Sequence, residues 1–478
     1  LSIDRRQRQM CIRDSSRMPQ EIPLLHRRAS DWFEENDFVE EAIDHALAAE
    51  DFKDAARLLE EHAGPFLTRG EIALLLRWLD ALPENVIADR PSLCIYHAWA
   101  RLLAGRPMAE VEARLLGAGE ERQITAVALV INSLIALLTG DTGRSLELSG
   151  QALDVLADFD EHSRLADSAN WRSTVYSNRG MAYVMTGDME AAIAAFEESA
   201  RIGGEAGNKM AVVGSLSNLA GLTMACGQLH KSAANYRRAL ELATDAGGKR
   251  LPVAHRVLLG LGELAREWND LAEAERYFRE SLALSLRYGE IGRLMSLLHL
   301  ARLKGAQGEV GTAEQLFEEA RQLALRSEAT PLDDLLVEMA QARHALEQGD
   351  LAAAERWAGE VQSQEPTVRV PYEIREVEQL LLARLALARE KTDEALALLE
   401  PLQRTAERRG QNRRLIEILG LKALALQARG DDAAALEAIG EALGLAEPEG
   451  YLRIFVDAGE GMARLLAPAM SRGITVDY

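Results

Sequence analysis

Small and large apolar residues recur along the chain at a nearly constant spacing. The pattern is clearest in residues 176–200, YSNRGMAYVMTGDMEAAIAAFEESA, where apolar positions three and four residues apart predict two amphipathic helices around a tight turn. Six further copies follow, with turns spaced 39 to 42 residues apart. The predicted turn residues are Gly187, Gly227, Asn269, Gly308, Gly349, Glu390 and Gly430. A period of about 40 residues indicates seven copies of one helical hairpin.

Each copy has a small residue on both helices where the helices are expected to cross. The first lies seven residues before the turn, as at Gly180, and the second lies five residues after it, as at Ala192. Four residues further on is a large apolar residue, which in the first four copies is Phe196, Tyr236, Phe278 or Phe317. This arrangement suits ridge-into-groove packing of two helices. Because one hairpin cannot bury its apolar face alone, we expect an all-α fold, an α-solenoid superhelix of antiparallel helix hairpins.

The hairpins resemble tetratricopeptide (TPR) repeats, although their period is about six residues longer than the usual 34. The extra length corresponds to roughly 9 Å of helix, shared between the two arms of each hairpin. The resemblance implies a superhelix with a concave surface lined by the first helix of each hairpin. We therefore expect the function to lie on that concave surface.

Composition narrows the functional classes. The chain has 478 residues, of which 48% are hydrophobic but only 5% aromatic, so Ala and Leu supply most of the expected packing. The net charge of −21 is spread along the chain and disfavours direct nucleic-acid binding. Three cysteines without a CxxC pattern predict neither a disulfide framework nor a zinc site, as in a reducing cytoplasm. The longest apolar run, residues 124–138, is shorter than the roughly 20 residues that span a bilayer.

The pattern divides the chain into five parts. The string RQRQMCIRDS near the start resembles translated read-through of a sequencing adapter, so we interpret residues 1–18 as a non-native tail. A basic tail that binds an anionic surface is the alternative. Beyond it we expect short-period hairpins in residues 19–105, irregular hairpins in 106–165, the seven repeats in 166–446, and a capping or linker segment in 447–478.

Short motifs at both ends of the helical region resemble a known family. They are His26-Arg27-Arg28 with Trp32, Glu41-Ala42-Ile43, His45-Ala46-Leu47, Arg90-Pro91 ahead of Ala98-Trp99-Ala100, and the ending EPEGYLRIFVDAGEGMARLLAPAMSRGI from Glu447. Together they resemble the region that follows the ATPase in large ATP-dependent LuxR-type transcription regulators, the MalT-like members of the STAND class. The resemblance covers about residues 20–478 and is most specific at its two ends.

In that family a P-loop ATPase precedes the hairpins, a TPR-like superhelix senses the inducer, and a LuxR-type helix-turn-helix follows. The present sequence has no GxxxxGK[ST] pattern and reaches Tyr478 without a helix-turn-helix. The resemblance therefore implies an effector-sensing fragment without a cofactor. It implies a small-molecule inducer or a regulatory protein on the concave face, and self-association in the full-length regulator. A stand-alone TPR scaffold that binds a protein or peptide is the alternative.

No motif predicts catalysis or metal binding. The GxSxG, HExxH and glycine-rich phosphate-loop patterns are absent from the sequence, so no nucleophile and base can be paired. The nine histidines never fall at metal-ligand spacing. We therefore do not expect an enzyme.

Polar residues on the first helices are the candidate ligand-binding residues. In the usual TPR orientation, side chains two residues before the small crossing residue and one residue after it point inward. Amides both donate and accept, and arginines clamp oxygen atoms, which suits a ligand rich in hydroxyl, carboxylate or phosphate groups. The candidates are Asn178, Asn218, Arg256, His299, Arg302 and Arg343, with Glu263 and Arg384 on the same strip. Because Leu381 and Leu421 occupy the later equivalents of Asn178, we expect recognition in the early and middle repeats; simple solvation of these side chains is the alternative.

Overall fold

A computed structural model of the chain describes residues 21–118, 122–158, 168–245, 247–288, 290–326, 331–363 and 372–471. The tail predicted over residues 1–18 lies outside the described residues. The chain divides into two units, residues 1–128 and 129–478, and the boundary lies inside the helix Arg122–Leu138. The described residues contain no strand, only an isolated bridge between Thr244 and Arg250, which confirms the all-α prediction. The finer domain boundaries stay predictions.

Short helices paired by tight turns make up the first unit. They are α1 (Ile22–Glu35), α2 (Val39–Ala48), α3 (Phe52–Arg69), α4 (Ile72–Ala81), α5 (Glu84–Ala88), α6 (Pro91–Leu103), α7 (Met108–Gly117) and the start of α8 (Arg122–Leu138). Asp37 and Glu50 have positive φ values of 63° and 53°, which reverses the chain between α1, α2 and α3. Asp51 then caps α3 by accepting a hydrogen bond from the Asp54 N–H. Ile43 and Leu58 are fully buried in the core that these turns bring together.

The second unit continues from α8 through α9 (Thr142–Leu156) into seven hairpins. These are α10 (Ser168–Thr186) with α11 (Met189–Glu205), α12 (Lys209–Ala225) with α13 (Leu229–Leu242), α14 (Ala254–Glu267) with α15 (Leu271–Tyr288), α16 (Glu290–Ala306) with α17 (Val310–Arg326), α18 (Pro331–Gln348) with α19 (Leu351–Ser363), α20 (Tyr372–Ala388) with α21 (Thr392–Arg408), and α22 (Asn412–Ala428) with α23 (Asp432–Ala446). A 3₁₀ turn, Glu447–Glu449, then leads to α24 (Arg453–Val456) and α25 (Glu460–Ser471). No described helix in either unit is long and apolar enough to cross a membrane.

All seven predicted turn residues have a left-handed backbone conformation. Their φ values lie between 59° for Glu390 and 87° for Gly187. This conformation costs a residue with a Cβ atom about 1–2 kcal/mol, which explains why most of the seven are glycine. At four turns the next residue is an aspartate that caps the second helix by accepting a hydrogen bond from a backbone N–H three residues on, namely Asp188, Asp270, Asp350 and Asp431. The predicted positions of the hairpin turns are confirmed.

The predicted helix crossings are confirmed by burial. A Cβ atom added to Gly180 would lie 2.6 Å from the ring of Phe196, and one added to Gly262 would lie 2.3 Å from the ring of Phe278. Both rings are themselves fully buried. The second small residue of each hairpin is also fully buried, at Ala192, Ser232, Ala274, Ala313, Ala354, Ala395 and Ala435. Small residues therefore let the paired helices approach closely enough to bury the aromatic rings between them.

The hairpins of the second unit curl until the first turns reach the later hairpins. A Cβ atom on Gly227 would lie 2.7 Å from the Cβ of Asn412. Residues 447–458, which we call the closing segment, extend from α23 back to the third hairpin. There the Leu452 N–H donates a hydrogen bond of 3.0 Å to the Glu267 carbonyl, and the Trp268 indole N–H donates one of 3.0 Å to the Glu449 carbonyl. The first helices of the third to seventh hairpins consequently surround a central space.

Candidate functional site

A cavity of about 280 Å³ lies among the first helices of the third to seventh hairpins. Helices α14, α16, α18, α20 and α22 all contribute lining residues, and Ile454 of the closing segment contributes one more. Five arginines line the cavity, namely Arg302, Arg343, Arg384, Arg413 and Arg414. Four glutamates face them, namely Glu263, Glu267, Glu347 and Glu417. The cavity thus has a small excess of positive charge inside a chain whose net charge is −21.

Apolar side chains form another part of the same wall. Met295 and Leu298 come from α16, Met339 from α18, and Leu380 and Leu381 from α20. Leu380 and Leu381 are each only 2% exposed, so they contact their neighbours more than solvent. The cavity therefore combines an apolar surface with convergent charged groups, which is the usual composition of a small-molecule site.

Glu417 connects three of the cavity arginines. Its carboxylate accepts hydrogen bonds from Arg384 at 2.9 Å and from Arg414 at 3.0 Å, and it lies 3.9 Å from the Arg343 guanidinium. Burial raises the pKa of Glu417, but the three arginines outweigh burial and hold that pKa well below its usual value. Arg343 also donates to Glu347 at 3.0 Å. These interactions with Glu417 and Glu347 hold the side chains of Arg343, Arg384 and Arg414 in place without a ligand.

A second ion pair links the seventh hairpin to the third. Arg413 donates a hydrogen bond of 2.9 Å to Glu267, whose side chain is only 4% exposed. Burial lowers the pKa of Arg413, but the charges of Glu267 and Glu263 raise it by more. The net shift of the pKa is upward, so Arg413 stays charged. This pair joins residues 146 positions apart in sequence, and it stands beside the cavity that the curled array encloses.

His299 and Arg302 lie one turn apart on α16. The imidazole of His299 stacks on Phe278, with ring centroids 5.2 Å apart, and its Nδ1 atom lies 3.6 Å from Glu263. Burial lowers the pKa of His299. The Arg302 guanidinium lies 3.5 Å from Asp457 of the closing segment. Burial, with the charges of Arg266 and Arg343, lowers the pKa of Arg302 to about 9.

Residues 126–472 match the family model of the MalT-like TPR region. The chain belongs to the MalT-like TPR family. Among curated relatives, the HTH-type transcriptional regulator MalT of Serratia proteamaculans (strain 568) is 25% identical over 464 residues, covering 93% of this chain and 49% of the relative. MalT of Yersinia enterocolitica serotype O:8 / biotype 1B is 24% identical over 459 residues, covering 94% of this chain and 49% of the relative. The chain therefore spans about half the length of the curated relatives it matches.

Solved structures of helical-repeat proteins are similar to this MalT-like TPR chain. The Rap protein complexed with Competence and Sporulation Factor has a TM-score of 0.45 and 10% identity, covering 88% of this chain and 99% of that chain. NprR in complex with its cognate peptide NprX has a TM-score of 0.44 and 16% identity, covering 72% of this chain and 93% of that chain. These similarities concern the fold.

Half of the six candidate residues line the cavity of the MalT-like TPR region. His299, Arg302 and Arg343 do so, as do Glu263 and Arg384 of the same strip. Two others, Asn218 and Arg256, lie outside the cavity lining and bind each other, with the guanidinium donating a hydrogen bond of 3.0 Å to the amide oxygen. Of the six candidates, those from the fourth hairpin onward are thus brought together, and the three earlier ones are not.

Asn178 requires a correction. Its side chain is 4% exposed, and its amide donates hydrogen bonds to the Val130 carbonyl at 3.2 Å and to the Ser133 hydroxyl at 2.7 Å. Helix α8 therefore covers the face of the first hairpin that the TPR orientation predicts to be concave. The amide holds α10 against α8 and is not open to a ligand.

Sequence reasoning missed the contribution of the last hairpin. The expectation of recognition in the early and middle repeats does not fit the lining, because Arg413, Arg414 and Glu417 of the last hairpin face the cavity. His344 and Glu347, next to the candidate Arg343 on α18, were missed as well. The adjacent arginines at the start of α22 were a usable signal, but only the curl of the array brings them to the third hairpin. Among the described residues, no group of three or more His, Cys, Asp or Glu side chains is placed to hold a metal ion.

Proposed function

We propose that residues 129–478 are the effector-sensing region of a MalT-like, LuxR-type transcription regulator, and that a small molecule bound in the cavity is the signal. The observation that carries the proposal is the convergence of five arginines, four glutamates and an apolar wall on one cavity of about 280 Å³. That volume is near the lower end of small-ligand sites, which measure roughly 300–1,000 Å³. A compact polar molecule suits it better than a long peptide.

The region fits a sensor because its binding groups come from several hairpins. Each of the five first helices around the cavity supplies at least one polar lining group. In a repeat array each hairpin contacts mainly its neighbours, so a ligand that contacts five hairpins would stabilise one curvature of the whole array. We infer that this change in stability is passed to ATPase and DNA-binding modules of the complete regulator.

The proposal is one of recognition without catalysis. The TPR-like fold and the regulator relatives support a binding role. Burial raises the pKa of Glu263 and Glu417, but neighbouring cationic groups outweigh it, so both carboxyl groups have pKa values below their usual range. A general acid or base works best with a pKa near the operating pH, and these carboxylates are shifted away from it.

Native mass spectrometry after incubation with a fractionated metabolite extract tests the proposal. We expect the wild-type chain to retain one small molecule per chain. Ala340→Trp places an indole in the cavity lining and should abolish retention by filling the space. Ala352→Trp makes the same change at an exposed position on α19 and should bind like the wild type.

Two results would contradict a small-molecule sensor. Retention of the same molecule by Ala340→Trp would place its site outside the cavity. Binding of a purified partner protein or peptide, with no metabolite retained by any variant, would favour the stand-alone scaffold instead.

A further inference from the structure

Arg302 differs from the other four arginines that line the cavity. Arg343, Arg384, Arg413 and Arg414 each donate a hydrogen bond of 2.9 or 3.0 Å to a glutamate. Within the described part of the chain, the Arg302 guanidinium makes no hydrogen bond, whereas Arg384 and Arg413 leave only the buried Nε–H without an acceptor. Its ion-pair partner there, Asp457, lies 3.5 Å away. Arg302 is therefore the cavity arginine whose positive charge is least compensated by nearby carboxylates.

Asp457 is itself shared among three arginines. Its Oδ1 atom accepts a hydrogen bond of 2.7 Å from Arg453, and its Oδ2 atom accepts one from Arg266. Arg302 approaches the same Oδ2 atom that Arg266 occupies. Burial raises the pKa of Asp457, but the three arginines hold that pKa below its usual value. One carboxylate thus serves three guanidinium groups, and a further anion near Arg302 would relieve their mutual repulsion.

His344 is a second unsatisfied group in the same lining. The residue is 9% exposed, and neither of its ring nitrogens has a hydrogen-bond partner among the described residues. Its ring packs on Phe317 with centroids 5.3 Å apart, which fixes the plane of the imidazole. A buried polar group without a hydrogen-bond partner carries a free-energy cost. A ligand atom that accepts from the imidazole N–H would recover that cost.

We propose that the ligand of this cavity carries a carboxylate or phosphate group, which Arg302 binds in place of Asp457 while His344 donates a second hydrogen bond. The inference rests on the proposed function and adds the chemical class of the ligand. A guanidinium matches the oxygen atoms of either group with two parallel hydrogen bonds, each stronger than a hydrogen bond between neutral groups. A neutral, hydroxyl-rich ligand would leave the charge of Arg302 as poorly compensated as it is now.

Isothermal titration of the 478-residue chain with inorganic phosphate and with succinate, against chloride at equal ionic strength, tests the inference. We expect saturable binding of at least one of the two anions, and the arm that binds identifies phosphate or carboxylate as the recognised group. Arg302→Gln should weaken that binding about tenfold or more. Arg201→Gln removes an exposed arginine on α11 and should bind like the wild type.

A second test uses Asp457, which should compete with the added anion for Arg302. Asp457→Asn removes the competing charge and should tighten anion binding. If thermal melts show that Asp457→Asn is unfolded, the comparison of Arg302→Gln with Arg201→Gln decides the question alone. The inference is overturned if neither anion binds saturably, or if Arg302→Gln binds as the wild type does. A neutral metabolite that is retained by the wild type and excluded by Ala340→Trp, together with no anion binding, would keep the sensing cavity and reject only the acidic ligand.

Discussion

At the helix crossings, the stability of the repeats depends on glycine residues, which have no Cβ atom. Gly262 has no side chain where the fully buried ring of Phe278 lies, and a Cβ atom there would be 2.3 Å from the ring. Real Cβ atoms do not approach a carbon that closely, so the ring or the helix would have to move. Because the ring is enclosed on all sides, movement would disturb the neighbouring hairpin as well.

We predict that Gly262→Ala lowers the free energy of unfolding by roughly 1–3 kcal/mol, although alanine favours a helix more than glycine does. The matched control is Gly311→Ala in α17, where a Cβ atom would meet nothing within 4 Å. Gly311→Ala should be neutral or stabilising by up to about 1 kcal/mol. Urea unfolding followed by circular dichroism measures both. Equal stability of the two variants would show that the crossing tolerates a larger residue.

The sequence predicts these residue-scale features because their causes are local. A left-handed turn selects glycine or asparagine, and a close crossing selects a small residue, so both appear in the residues themselves. The partners of charged residues could not be predicted in the same way. In the sequence, Arg302 is one of several arginines on a polar helix face. Nothing near it in the sequence indicates that its ion-pair partner is Asp457, which is 155 positions later.

At the scale of elements, the closing segment fixes the curl of the second unit. Tyr451 is fully buried, and the neighbouring Glu449 accepts hydrogen bonds from the Trp268 indole and from the His230 backbone N–H, both at 3.0 Å. Arg453 donates to the Asn269 side chain at 3.2 Å. These contacts join the end of the array to its second and third hairpins.

Tyr451→Ala should remove most of that attachment. By analogy with other large-to-small changes in a core, we expect it to lower the free energy of unfolding by about 3–5 kcal/mol. Leu452→Ala is the control, since the Leu452 side chain is 40% exposed and its loss should cost less than about 1 kcal/mol. Thermal unfolding monitored by circular dichroism compares the two. A smaller loss for Tyr451→Ala than for Leu452→Ala would mean that the closing segment contributes little to stability.

The apolar pattern predicted the hairpins as elements but not the return of the closing segment. Repeat spacing reports how each hairpin packs on the next, whereas the hydrogen bonds of Glu449 to Trp268 and His230 join residues 181 and 219 positions apart. Its apolar residues, such as Tyr451 and Phe455, predicted burial without identifying the partner. The family resemblance at Glu447 likewise predicted a segment that ends the sensor region and did not indicate that it contacts α14.

At the scale of the second unit, the cavity exists only because the array curls. Its lining combines Glu267 of the third hairpin with Arg413 of the seventh, and these residues pair directly at 2.9 Å. No single hairpin or neighbouring pair contains enough of the lining to form a site. This is why strip positions on individual helices predicted five of the lining residues and also included Asn178, which α8 covers.

The central claim is that an effector binds inside the second unit, and hydrogen–deuterium exchange of the whole chain with and without the retained metabolite tests it most directly. We predict that the ligand slows amide exchange most in α16, α18, α20 and α22, whose side chains line the cavity. Exchange in α1 to α6 should not change. Slowing confined to α1 to α6, or to the outer helices α17, α19 and α21, would contradict a binding site inside the curled array.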